Sequence, residues 1–323
     1  MRIVLCYPVE PCHKDRIAAA APGWEIVDAG QDRIAEELPT AEIYCGHAKV
    51  RVPWEETVAG GRLQWIQSSA AGMDHCLAPA VIESDIVVTS ASGVLADQVA
   101  EHAVGLLTAL CRSFPLFFRA QHKKEFIRRP TRDLTGSTVG IVGFGGVGRR
   151  LAELLRPYKT RLLATDWFPY DKPQYVEALF PADRLDSILP EVDFLVLCAP
   201  LTEVTRGMID AATLAKLRPD AFLVNVARGP LVVEADLVEA LEGGQLAGAA
   251  LDVTENEPLP KTSRLWDLPN AIITPHVAGQ SARRIDNMTE FFCENLRRFQ
   301  ADEPLKNFVD KRLGFPIRRR EEA

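Results

Sequence analysis

Short aliphatic and β-branched runs, separated by helix-length stretches, recur from the first residues of the chain. Segments 2–7, 25–29, 41–46, 63–69 and 86–90 read as strands, and the stretches between most of them are long enough for helices. That βαβ rhythm predicts a parallel sheet. A second and stronger series follows at 138–143, 161–166, 194–200, 221–226, 248–253 and 271–275. Between the two series, Val99, Ala103, Leu106, Leu107 and Leu110 fall on one face of a helix, with Asp97 placed to cap it and the helix expected to cross between domains. Residues 281–300 again have a helical pattern, and the charged, Pro-punctuated tail from 301 to 323 is expected to return to the first domain. The predicted organisation is α/β, with two doubly wound parallel-sheet domains. Residues 1–97 and 290–323 form the smaller one, and residues 98–289 are inserted in it.

Composition narrows the partners. A chain of 323 residues is the length of two ordinary domains. Its formal charge of −7 and isoelectric point near 5.5 offer no footprint for a phosphate backbone, so small molecules rather than nucleic acid are the expected ligands. The seven cysteines lack CxxC or metal-ligand spacing and read as reduced core residues. No run of 18 apolar residues and no signal-peptide pattern occurs, so no membrane partner and a cytoplasmic location are expected.

The most informative motif lies at the second series' first strand. Gly143-Phe144-Gly145-Gly146-Val147-Gly148 is a GxGxxG turn between a strand and a helix, and six strands are the complement of a dinucleotide-binding domain. Gly143 permits the tight turn, Gly145 lets backbone N–H groups approach a pyrophosphate, and Gly148 lets helix and strand pack closely. Asp166 ends the next strand, where a carboxylate accepts ribose hydroxyls and repels a 2′-phosphate. Trp167, Phe168 and Pro169 follow it with no cation, which favours NAD over NADP.

Later strand ends carry the chemistry that a nicotinamide enzyme needs, an anchor for the substrate and a proton carrier. They present Arg228, then Asp252 and Glu257, then His276. Arg offers two parallel donors to a carboxylate, and His exchanges a proton near neutral pH. The histidines show no HxxxH or HxH spacing with nearby acids, so no metal site is indicated. His102, beside Glu101, is read as structural, and His13, His47, His75 and His122 as packing or surface residues. Arg128, Arg129 and Arg132, like the run 318–320, are read as solvated basic faces.

Val224-Asn-Val-Ala-Arg-Gly229, Ala250-Leu-Asp-Val-Thr-Glu-Asn-Glu-Pro-Leu-Pro260 and Ile273-Thr-Pro-His-Val-Ala-Gly279 resemble the signature blocks of the D-isomer-specific 2-hydroxyacid dehydrogenases. The resemblance spans essentially the whole chain. Segments 94–107 and 133–142 are most similar to the glyoxylate/hydroxypyruvate reductase branch. It implies a Rossmann nucleotide-binding domain inserted in a flavodoxin-like substrate domain, and an NAD-dependent oxidoreductase that interconverts a small 2-oxo acid and its D-2-hydroxy acid. Carried over by position, it makes Arg228 the group that binds the 2-oxo acid, His276 the acid/base, and Glu257 the carboxylate that orients the imidazole. Ala71 and Gly72, in the loop Ser69-Ala-Ala-Gly-Met-Asp74, would hold the substrate carboxylate through backbone N–H groups. Asp252 is expected at the nicotinamide carboxamide, with Ala199, Pro200, Thr205, Val226, Ala227, His276 and Gly279 among the other cofactor contacts. A homodimer built through residues 114–127 is likewise implied.

Within the family, Glu257 argues against a formate dehydrogenase, which needs no proton shuttle. Leu95 stands where many members carry a polar residue, so substrate contacts from that position do not transfer. D-3-phosphoglycerate dehydrogenase is the nearest enzymatic alternative; the chain has no room for the regulatory domain of many such enzymes and no evident phosphate-binding cluster. An NAD-responsive, corepressor-like binding module is the alternative of another class.

Overall fold

The computed structural model of the chain describes residues 1–73 and 75–317. It divides into two compact units, one from Met1–Leu95 together with the residues from Ser281 on, the other from Ala96–Gln280.

The first unit is a parallel sheet of β1 (Arg2–Cys6), β2 (Glu25–Asp28), β3 (Ile43–Gly46), β4 (Trp65–Ser68) and β5 (Val87–Thr89), in the order β2-β1-β3-β4-β5. This is the flavodoxin-like order. Successive residues bury opposite faces. Val4, Tyr44, Ile66 and Val88 pack on one side, and Ile3, Leu5, Ile43, Cys45 and Trp65 on the other. That is why its strands read as continuous apolar runs rather than alternations.

The helix Arg284–Gln300 belongs wholly to this unit. Met288, Phe292 and Leu296 repeat every four residues and are buried there, and the Trp65 ring lies 5.5 Å from Phe292 and 5.4 Å from Phe299. The junction therefore falls after Gln280, nine residues before the expected boundary, because burial of this face begins at Ile285 and Met288. The tail returns as expected: Phe308 bridges Thr89, and Val309–Asp310 pairs with Phe315–Pro316. The basic run 318–320 and Asp74 lie outside the described residues.

The second unit has seven parallel strands rather than the expected six: β6 (Thr138–Val142), β7 (Arg161–Asp166), β8 (Ala178–Pro181), β9 (Phe194–Leu197), β10 (Phe222–Asn225), β11 (Gly248–Leu251) and β12 (Ala271–Ile273). Their order is β12-β11-β10-β9-β6-β7-β8. Counted within the unit this is 3-2-1-4-5-6-7, the Rossmann order with one further strand. The strand missing from the sequence reading is β8. It has four residues, pairs only with β7 at the sheet edge and ends in a proline, so neither length nor periodicity marks it.

The helix Ala96–Cys111 lies entirely in this unit instead of crossing between domains. Its Ala103, Leu106, Leu107 and Leu110 pack with Ile141, Leu151 and Leu155. Asp97 sits inside the first turn and pairs with Arg150 Nε at 2.6 Å, so it is an ion-pair partner and not the cap. Arg132 is not a solvated basic residue either. It lies over the Phe222 ring at 5.6 Å and bonds the Asp220 carbonyl and Asp193.

All seven cysteines are free thiols, and Cys12 is exposed rather than in the core. Burial pushes the Cys6 and Cys111 thiols up to about 11 and that of Cys198 to about 12, so these three stay protonated and unreactive near neutral pH. His13 is buried, accepting the Glu10 N–H on Nδ1 at 3.0 Å with Nε2 3.4 Å from Asp286. His47 and His75 stack with centroids 4.0 Å apart. No single helix among the described residues is long and apolar enough to cross a membrane.

Candidate active site

Parallel strands deliver their loops to one edge, and the carboxyl edge of the second sheet splits into two halves. On the β9-β6-β7 half the work is done by missing side chains. Gly143 has φ +89°, and a Cβ there would stand 2.6 Å from the Ala199 nitrogen. A Cβ on Gly148 would stand 2.2 Å from the Gly143 oxygen, so only glycine lets the helix Gly146–Leu155 start against β6. At Gly145 a Cβ would meet nothing within 4 Å, leaving open space beside the helix N-terminus.

Asp166 ends β7 with its carboxylate on the same loop. Oδ2 accepts the Phe144 N–H at 2.6 Å and Oδ1 the Phe168 N–H at 2.8 Å. A carboxylate has about four acceptor sites, so both oxygens retain capacity for hydroxyl donors. The Phe144 side chain is buried beneath the Arg149 guanidinium, 4.8 Å from the ring, so this residue serves the loop through its backbone and its packing. Gly146 and Val147 are partly exposed in the first helical turn. Beyond β9, Thr205 Oγ1 donates to the Pro200 carbonyl at 2.7 Å and accepts the Thr202 N–H at 2.8 Å, fixing the loop that begins at Ala199.

The β10-β11-β12 half presents side chains. Asn225, fully buried at the end of β10, accepts the Ala227 N–H at 3.0 Å and donates to the Arg228 carbonyl at 2.9 Å. This shapes the turn through Val226 and Ala227 and leaves Arg228 partly exposed, with one guanidinium nitrogen donating to the Ala227 carbonyl at 2.7 Å. Gly229 then presses on the next loop, where a Cβ would stand 1.8 Å from the Thr254 oxygen. The Arg228 loop and the loop bearing Glu257 are thus in backbone contact. In that loop, Glu257 accepts the Thr254 N–H on Oε1 at 3.2 Å, and the Glu257–Pro258 peptide is cis. The other oxygen, Oε2, holds His276 Nδ1 at 2.7 Å.

His276 follows β12 with φ +54°, a left-handed conformation that costs a non-glycine residue about 1–3 kcal/mol. The cost is offset by one carboxylate. Asp252, 2% exposed after β11, accepts the Thr274 hydroxyl at 2.6 Å and the N–H groups of Val277 and Ala278 at 2.9 Å each, and its carbonyl accepts the His276 N–H at 2.8 Å. Gly279 follows, partly exposed. The imidazole of His276 is 50% exposed and makes no hydrogen bond through Nε2 among the described residues. An imidazole held at Nδ1 by a carboxylate presents Nε2 as its proton-exchanging atom.

Arg228, Asp252, Glu257 and His276 are therefore brought to one half of one edge, and the GxGxxG turn, Asp166, Ala199, Pro200 and Thr205 to the other. Ala71 and Gly72 follow β4 at the carboxyl edge of the first unit's own sheet, where Ser68 Oγ accepts the Ala70 N–H at 3.0 Å. Sequence reasoning did not single out Asn225, Gly229, Thr254 or Thr274. Only Asn225, a polar residue within an apolar run, left a signal. His102, read as structural, places Nε2 3.0 Å from Thr274 Oγ1.

A glycine-rich turn at a Rossmann switch point, on the same sheet edge as a cluster of Arg, Glu and His, is the arrangement expected of a nucleotide-dependent oxidoreductase. The family model for "D-isomer specific 2-hydroxyacid dehydrogenase, NAD binding domain" matches residues 104–278. A glyoxylate reductase of Thermofilum pendens is 34% identical over 74% of this chain and 72% of its own length. A D-3-phosphoglycerate dehydrogenase of Mycobacterium tuberculosis is 30% identical over 87% of this chain, which spans only 53% of that protein. Among solved structures, an NADPH-dependent glyoxylate/hydroxypyruvate reductase of Sinorhizobium meliloti, in complex with NADP and sulfate, superposes with a TM-score of 0.82. It is 28% identical, covering 97% of this chain and 99% of that one. The chain belongs to the D-isomer-specific 2-hydroxyacid dehydrogenases, and within them it is similar to the glyoxylate reductases.

Proposed function

We propose that the protein uses NADH to reduce a small 2-oxo acid to its D-2-hydroxy acid, with glyoxylate and hydroxypyruvate as the favoured substrates. The observation that carries this reading is the 2.7 Å contact between His276 Nδ1 and Glu257 Oε2 beside the Arg228 loop. The open backbone at Gly145 and the carboxylate of Asp166 fit a dinucleotide, which when bound supplies the hydride for C2 of the substrate. His276 gives the accompanying proton from Nε2 to the carbonyl oxygen, and in oxidation takes it back from the hydroxyl. Glu257 holds the ring by Nδ1, leaving Nε2 as the atom that exchanges the proton. Arg228 binds the substrate carboxylate, or polarises the carbonyl, through its planar fork. The backbone N–H groups of Ala71 and Gly72, in the loop after β4, are further donors suited to a carboxylate.

NAD is favoured over NADP because Asp166 would repel a 2′-phosphate. The similar Sinorhizobium meliloti enzyme is an NADPH-dependent one, which makes this the part of the reading most worth testing. Asp252 receives the carboxamide end of the cofactor, with Ala199, Pro200, Thr205, Val226, Ala227 and Gly279 around it. The protein acts as a homodimer through the segment 114–127, in which Phe114, Phe118 and Phe126 are exposed. An elution volume matching 35.7 kDa would refute that.

The deciding experiment follows NADH and NADPH oxidation with glyoxylate, hydroxypyruvate, pyruvate and 3-phosphohydroxypyruvate in parallel. Turnover of the first two with NADH supports the proposal. Preference for the phosphorylated acid would make the protein a phosphoglycerate dehydrogenase, and no turnover with any would return the corepressor-like reading.

A further inference from the structure

The network behind His276 does not end at Asp252. His102, on the helix Ala96–Cys111, places Nε2 3.0 Å from Thr274 Oγ1 and 3.5 Å from Asp252 Oδ1. Thr274 has a single hydroxyl proton, and its 2.6 Å contact with Asp252 Oδ1 uses it, because a carboxylate can only accept. Toward His102 the hydroxyl must therefore accept, and Nε2 must carry the proton. The chain of donors runs His102 Nε2–H to Thr274 Oγ1–H to the buried Asp252 carboxylate.

That carboxylate is the group that gathers the Thr274 hydroxyl and the Val277 and Ala278 N–H groups around the left-handed residue His276. Asp252 is itself fixed to β10, its backbone N–H donating to the Asn225 carbonyl at 2.9 Å, and its carboxylate and carbonyl hold residues 274–278, which ties the loop after β12 to the end of β11. His102 adds to this network a contact from a helix, one whose Ala100, Ala103 and Leu107 are fully buried in the core. We propose that His102 is a positioning residue for the dehydrogenase reaction: its Nε2–H seats the His276 loop by holding Thr274 on Asp252. Hydrogen bonds in such chains polarise one another, so loss of the outermost donor weakens the next.

This inference rests on the proposed role of His276, and its test keeps the two apart. His102→Ala, His102→Gln, Thr274→Val and the double variant His102→Ala/Thr274→Val are compared with the unmodified protein. Three readouts are taken: kcat and KM for hydroxypyruvate, NADH affinity, and amide hydrogen exchange of segments 274–278 and 96–111. His102→Ala is expected to lower kcat roughly tenfold with KM for the 2-oxo acid within about twofold, because Arg228 is untouched. Exchange should quicken about tenfold in 274–278 while the 96–111 amides stay protected. Gln places an N–H donor near the same point and should recover kcat to within about threefold. The double variant should be no worse than Thr274→Val alone, as expected for one shared chain of contacts. A His102→Ala protein with kcat within twofold of the unmodified one, additive losses in the double variant, or equal loosening of the 96–111 helix would each overturn the proposal. If no 2-oxo acid is reduced, the reading of function fails, yet the exchange of 274–278 still decides whether His102 seats the loop.

Discussion

The two halves of the second sheet's carboxyl edge are built by opposite means. On the β9-β6-β7 half, the architecture comes from what is absent. Gly143 and Gly148 have no room for a Cβ, and Gly145 leaves its surroundings open. On the β10-β11-β12 half it comes from side chains that would fall out of place without backbone clamps: Asn225 under Arg228, Thr254 under Glu257, Asp252 under His276. A pyrophosphate is met by main-chain N–H groups and a helix terminus, which one local turn can supply. A reacting carbonyl needs an anchor and a proton at fixed angles, which no single loop provides.

If this division is correct, perturbing one half should leave the other's property intact. The largest effect is expected from His276→Ala, which should lower kcat by roughly 10²–10⁴, the range for a positioned proton-transfer group, with NADH affinity changed little. Fluorescence titration of NADH beside steady-state kinetics checks both. Comparable loss of NADH binding would mean that the halves are one unit. Glu257→Gln should cost about 10–10² in kcat, since a neutral amide still fills the space but gives up the charged acceptor that holds His276 Nδ1; a kcat equal to that of the unmodified protein would leave Glu257 a purely structural loop residue. Asp166→Ala should weaken NADH binding about tenfold and NADPH binding much less, leaving kcat at saturating NADH near its starting value. Equal loss for both coenzymes would contradict the ribose assignment. The smallest effect on chemistry is expected from Gly148→Ala. Its Cβ would clash with the Gly143 carbonyl, and overpacking of this kind costs about 1–3 kcal/mol, read as a lowered Tm. A Tm unchanged by this substitution would show that the turn can relax, and that the close approach is not what demands glycine there.

The chain's own pattern carried much of this. Both parallel sheets, the strand ends that bear Arg228, Asp252, Glu257 and His276, and the GxGxxG turn are legible because each is written within a short window. Strand runs announce themselves by length and branching, and the glycine turn by its spacing between a strand and a helix. What sequence left out is non-local or too short to have a period. β8 has four residues at an edge, and the domain junction at Gln280 depends on Met288 and Phe292 reaching Trp65 more than 220 residues away. Asp97 looked like a cap because helix starts are read one residue at a time, whereas its partner Arg150 lies on another helix.

The sequence by itself determined which residue types stand at which strand ends, since the order of apolar runs and turns is a property of the chain alone. Only the tertiary structure decided that Gly229 presses on Thr254, that Glu257 reaches the imidazole of His276, and that His102 reaches Thr274 from a helix 172 positions earlier. The physical reason is that hydrogen bonds and close packing act over about 3–4 Å, and folding alone brings distant residues within that reach.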